Sequence, residues 1–102
     1  MREIRLLPAV LQDVAEAAAW YDQDGHLGLG DRFIATFYSY LAEIQENGEI
    51  YRQPYLDFHK IILRPFPYSV FYRLHDDFWI VTLVTHAARN PSRTRRILKE
   101  RK

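Results

Sequence analysis

The sequence predicts an α+β fold. It is an antiparallel sheet, built from an N-terminal strand and a C-terminal three-strand meander, with one face covered by a two-helix hairpin in the order βααβββ. Three observations predict it. The first half carries two apolar stripes at helical spacing on either side of a glycine-rich connector. The second half carries three short apolar runs bounded by prolines or by Asp76-Asp77. The chain has 102 residues, 48% hydrophobic and 26% charged, a length and balance suited to one small core in a single domain spanning 1–102.

Arg2 to Leu7 reads as a strand with Ile4 and Leu6 on one face. Pro8 ends it and suits the first position of a helix, where its missing N–H is no loss. Leu11, Val14, Ala18 and Tyr21 then form one helical stripe, and Asp24-Gly25 closes the helix. The glycines of Gly25-His26-Leu27-Gly28-Leu29-Gly30 are not spaced as a dinucleotide fingerprint and read as turn glycines. A second helix opens near Asp31, a suitable N-cap, and runs to the Asn47-Gly48 stop. Its stripe is Phe33, Phe37, Tyr40, Leu41 and Ile44, and the short connector predicts that the two helices lie antiparallel.

Phe58 to Arg64 is the next strand, interrupted by Pro65-Phe66-Pro67. Tyr68 to Leu74 follows, then a turn at His75-Asp76-Asp77, then Phe78 to His86. This last run is apolar on both faces, which predicts a central position. Short turns predict an antiparallel meander. Ala87 to Ser92 reads as a loop, and the segment after it has weak helical potential.

Net charge is +1, but residues 1–88 carry −5 and residues 89–102 carry +6. Arg89, Arg93, Arg95, Arg96, Lys99, Arg101 and Lys102 form a basic C-terminal tail, 89–102, on an acidic body. Such a tail is either a solvated face or a contact for an anionic partner. Residues 93–102 hold no strand and no aromatic, so folding is expected to survive their removal. There is no cysteine, which excludes disulfides and thiol chemistry. No apolar run approaches the roughly 18 residues of a membrane span, and Met1-Arg2-Glu3-Ile4-Arg5 leads into no signal-peptide core. The expectation is a cytoplasmic protein that does not engage membranes.

The four histidines, His26, His59, His75 and His86, show no metal-ligand spacing, and Ser39, Ser69 and Ser92 have no nucleophile context. No motif identifies an enzyme, and neither metal nor cofactor is expected. Two local patterns remain, Phe66-Pro67-Tyr68-Ser69-Val70-Phe71-Tyr72-Arg73 and His86-Ala87-Ala88-Arg89-Asn90-Pro91. With Leu7-Pro8-Ala9, Asp13 and Gly28-Leu29-Gly30-Asp31-Arg32-Phe33, they resemble the ParE-like branch of the RelE/ParE toxin superfamily over about residues 4–96. Two departures are Leu7, where that family often has Ser or Thr, and Asn90, where many members have Asp.

The resemblance implies a cytoplasmic toxin of a type II toxin–antitoxin (plasmid stabilisation) module, held inactive by a cognate antitoxin protein. It implies inhibition of DNA gyrase in the ParE branch, or cleavage of ribosome-bound mRNA in the RelE branch. A non-toxic relative that only binds its antitoxin is a third reading. Fold alone does not choose among these. A metal-independent endoribonuclease needs a base, an acid and cations at the phosphate. The strands offer His59, Lys60, Arg64, Arg73 and His86, with Arg89 just beyond. The nuclease set would be His86, Arg64, Arg73 and Arg89, with His86 either the proton-transfer group or a structural residue bonded to the loop after it. Under the gyrase reading there are no catalytic residues. Target or antitoxin binding then falls to Arg89, Arg93, Arg95, Arg96 and Lys99.

Overall fold

The computed structural model describes residues 1–23 and 28–102, so the expected helix stop at Asp24-Gly25 and the connector residues up to Leu27, His26 included, lie outside the described residues. The elements are β1 (Glu3–Leu6), α1 (Pro8–Gln23), α2 (Leu29–Asn47), a 3-10 turn (Gly48–Ile50), β2 (His59–Ile62), β3 (Tyr68–His75), β4 (Phe78–His86) and α3 (Pro91–Arg101). The sheet order is β1-β4-β3-β2. The meander β2-β3-β4 is antiparallel, as its short turns predict. The sheet as a whole is mixed, because β1 pairs with β4 in parallel, Glu3 opposite Phe78 and Leu6 opposite Val81. The helical hairpin carries the chain back before the meander begins, so the first strand meets the last one running in its own direction.

Two cores form, one on each sheet face. The larger lies under the hairpin and holds Val10, Val14, Phe33, Phe37, Ile44, Phe66, Tyr72 and Trp79. In α1, Val14, Ala18 and Tyr21 are buried as the stripe predicts, but its first member is Val10, fully buried, and not Leu11, which is 51% exposed. Of two adjacent apolar residues on a helix only one can point fully inward, and packing against the sheet selects Val10. The α2 stripe buries Phe33, Phe37 and Ile44 as its spacing predicts. That helix begins earlier than Asp31, at Leu29, with Gly28 as its cap at φ 86°, a conformation glycine adopts without strain. Gly30 lets the two helices close. Its N–H donates to Asp22 Oδ1 at 2.9 Å, and an added Cβ would lie 2.5 Å from the Ala18 carbonyl oxygen.

The smaller core lies on the opposite face, where Phe58, Phe71, Leu83 and Leu98 cluster. Leu98 belongs to α3 and is fully buried. The basic segment is therefore a helix docked on the sheet and not a separable tail. Its apolar anchors are few, Thr94, Ile97 and Leu98, but they fall three and four apart and share one face. Asn90 caps the helix by accepting the Ser92 N–H at 2.8 Å, a role Asp or Asn fills equally well.

A polar clasp fastens α3 to the other layer. β1 covers β4 only as far as Val81, which leaves the strand edge beyond it open. Arg101 donates to both carboxylate oxygens of Asp13 in α1, at 2.7 and 3.0 Å, and to the Thr82 carbonyl at 3.0 Å. Asp13 also accepts the Val84 N–H at 3.1 Å. One ion pair thus satisfies two backbone groups that a longer first strand would have paired.

Candidate functional site

The sheet face that carries α3 has a cavity of about 220 Å³ beside the helix. Register builds its floor. Ser69 on β3 stands opposite Thr85 on β4, so their hydroxyls share one face. Both residues are buried, at 1% and 4% exposure, and neither hydroxyl has a hydrogen-bond partner among the described residues. Four cations from four places line the walls. Arg52 comes from the loop before β2, Lys60 from β2, Arg89 from the loop after β4 and Arg95 from α3. No acidic residue lines this cavity, and among the described residues none of the four cations is in an ion pair. Arg95 makes only a long 3.4 Å contact to Ser92 of its own helix.

His86 closes β4 on the rim of this cavity. Its ring lies edge-on to Tyr68, with centroids 5.2 Å apart. Its Nδ1 accepts the Ala88 N–H at 3.0 Å. An imidazole that accepts at Nδ1 carries its proton on Nε2 and has no free lone pair there. In this arrangement Nδ1 is engaged as an acceptor and Nε2 presents a hydrogen-bond donor, so neither ring nitrogen offers a free lone pair to a substrate hydroxyl. Beside it, burial pushes the Tyr68 phenol pKa up, and the Arg89 charge works against that rise.

The structure gathers part of the expected set and disperses the rest. His86 and Arg89 meet at the cavity, with Lys60 and Arg95. Arg64 lines a different hollow, with Tyr40, Tyr51 and Arg52. Arg73 pairs with Ile80, near the other end of β4 from His86. His59 is buried in structure: Nδ1 lies 2.7 Å from the Tyr51 carbonyl oxygen, Nε2 lies 3.0 Å from the Gln53 amide, and the ring stacks on Tyr72. Helical spacing divides the α3 cations, Arg95 with Lys99 on one flank and Arg93 with Arg96 on the other. All four are exposed.

Sequence reasoning missed Arg52, Ser69 and Thr85. Arg52 sits in an irregular loop with no periodic signal. The two hydroxyls become a pair only through strand register.

A family model described as the ParE toxin of type II toxin–antitoxin systems (parDE) matches residues 4–91. The chain belongs to the ParE toxin family. No curated protein matches it significantly. A ParE toxin is one half of a two-component module, so membership implies an antitoxin partner. The match ends at the first residue of α3, which places Arg52, Lys60, Ser69, Thr85, His86 and Arg89 inside it and Arg93, Arg95, Arg96 and Lys99 beyond it. Among the described residues, no helix is long and apolar enough to cross a membrane.

Proposed function

We propose that this ParE toxin acts in the cytoplasm by binding DNA gyrase through its cationic end, without proton-transfer chemistry of its own, and that a cognate antitoxin neutralises it by covering that end. The observation that carries the reading is the Nδ1 contact of His86 with the Ala88 N–H. It occupies the best-placed candidate base as a structural acceptor. Arg89, Arg93, Arg95, Arg96 and Lys99 meanwhile are exposed and outside any ion pair among the described residues. Exposed, uncompensated charge of one sign steers association with an anionic surface and weakens with salt.

Cleavage of ribosome-bound mRNA is the second reading. It is favoured by one observation, the shared cavity of His86, Arg89 and Lys60. Two variants separate the readings. Under the gyrase reading, His86→Ala loses one hydrogen bond, about 0.5–1.5 kcal/mol of stability, and growth inhibition persists. Replacing Arg93, Arg95 and Arg96 together weakens inhibition of gyrase supercoiling, more so at higher salt. Under the nuclease reading, His86→Ala slows ribosome-dependent cleavage by about 10²–10⁴-fold. Cleavage by the parent, abolished in His86→Ala at unchanged thermal midpoint, would overturn the gyrase assignment.

A further inference from the structure

We propose that the cavity between β3, β4 and α3 is a binding site for a phosphate monoester dianion, the terminal phosphoryl group of a mononucleotide or related metabolite. The inference does not depend on which macromolecule the toxin attacks. Its starting point is the pair of buried hydroxyls, Ser69 Oγ and Thr85 Oγ1, each without a partner among the described residues. A buried hydroxyl left unpaired is costly, and native structures retain few of them. Here two stand side by side on paired strands, on the floor of a cavity. The second observation is charge. Arg52, Lys60, Arg89 and Arg95 converge on the same cavity, whose lining holds no carboxylate. Like charges gathered without a counter-charge repel one another, and a bound anion relieves that repulsion.

Donor number and charge select the anion. A carboxylate offers two oxygens and one negative charge, little against the three guanidiniums, one ammonium and two hydroxyls gathered here. A monoester offers three terminal oxygens and about −1.5 to −2 charges at neutral pH. Guanidinium groups pair with such oxygens in a bidentate manner, and the lysine adds a point charge. A phosphodiester offers two non-bridging oxygens and one charge, and its flanking sugars keep the phosphorus away from a floor that is almost wholly covered. The volume, about 220 Å³, accommodates a phosphoryl group with part of what it is attached to.

The test is titration of the full chain at low salt, followed by amide chemical shifts and by calorimetry. The probes are inorganic phosphate, 5′-AMP, an oligothymidylate lacking terminal phosphates, and a glutamate-rich peptide. The expected result is saturable binding of phosphate and 5′-AMP, with the resonances of Ser69 and Thr85 among those that move. Thr85→Val keeps the side-chain shape and removes the hydroxyl. It should bind 5′-AMP about tenfold more weakly, the worth of one hydrogen bond to a charged group, while melting no lower than the parent. Lys60→Gln should weaken binding at least as much. Failure of phosphate and 5′-AMP to move the floor resonances of the parent would overturn the proposal. So would equal affinity of Thr85→Val, or tighter binding of the oligothymidylate or the peptide than of 5′-AMP at matched concentration of anionic groups.

Discussion

Cutting the clasp between α1 and α3 should cost more than an ordinary surface ion pair. The Arg101 and Asp13 side chains are 23% and 13% exposed, so solvent screens them only partly. Arg101→Ala removes two charge-assisted bonds to Asp13 and one bond to the Thr82 carbonyl. Hydrogen bonds to charged groups are worth about 1.5–3 kcal/mol each, and releasing an ordered arginine returns up to about 2 kcal/mol of side-chain entropy. A fully buried pair broken on one side costs about 3–5 kcal/mol, and an exposed one about 0–1. The expected loss for Arg101→Ala is therefore about 2–3 kcal/mol, or roughly 10–20 °C in melting temperature for a domain of this size. Asp13→Ala should cost more, about 3–4 kcal/mol, because it also leaves the Val84 N–H unpaired. Urea denaturation of both single variants and the double variant gives the coupling, which should be about 1–2 kcal/mol. Additive losses, or a loss below about 0.5 kcal/mol for Arg101→Ala, would refute the view that this pair replaces missing strand pairing.

Further outcomes follow from the packing and from one side-chain hydrogen bond. Leu98→Ala should destabilise by about 2–4 kcal/mol in the same denaturation assay, since it opens a cavity against Phe58, Phe71 and Leu83, and a chain ending at Ala88 should melt lower still. Gly48→Ala would gain up to about 1 kcal/mol of helix propensity. The new Cβ would however stand 2.7 Å from Trp79 Cζ2, and Trp79 is buried against Tyr72 and His59, so the melt should fall by a net 1–2 kcal/mol or so. Tyr51 donates to Glu43, and that bond raises its phenol pKa to about 12. A phenol ionising later in the folded state than in the unfolded one makes stability fall as pH rises from the ordinary value of about 10 toward 12. Burial raises the phenols of Tyr21, Tyr68 and Tyr72 as well, so phenolate absorbance should show several late ionisations, and Tyr51→Phe should remove one phenol's share of them and make the decline shallower.

Periodicity made the hairpin and the meander legible. Phe33, Phe37 and Ile44 are spaced for one helix face, and the Phe78–His86 run is apolar on both sides because both faces of β4 are covered. Along α1 it located Val14, Ala18 and Tyr21 but took Leu11 in place of Val10, because the two are comparably apolar and only the tertiary setting selects between them. The parallel pairing of β1 was not legible, since alternation in four residues says nothing about a partner strand. Nor was the docking of α3, where seven cations along 89–102 masked the anchors Thr94, Ile97 and Leu98. The candidate site was legible only where it is charged. His86, Arg89 and Arg95 stood out by residue type, whereas Ser69 and Thr85 acquire meaning from being opposite each other.

The parallel pairing of residues 3–6 with residues 78–81 also sets an order of events during synthesis. A ribosome making this chain polymerises the helical hairpin before any of β4, the strand that lies beneath it. Until then Phe33, Phe37 and Ile44 have no sheet to cover them, and contacts so distant along the chain form slowly. The cationic cavity comes later again, because its walls draw on residues from Arg52 to Arg95. The apolar hairpin of a nascent chain is thus exposed before the charged face exists, and whatever engages it in that interval reaches the molecule first.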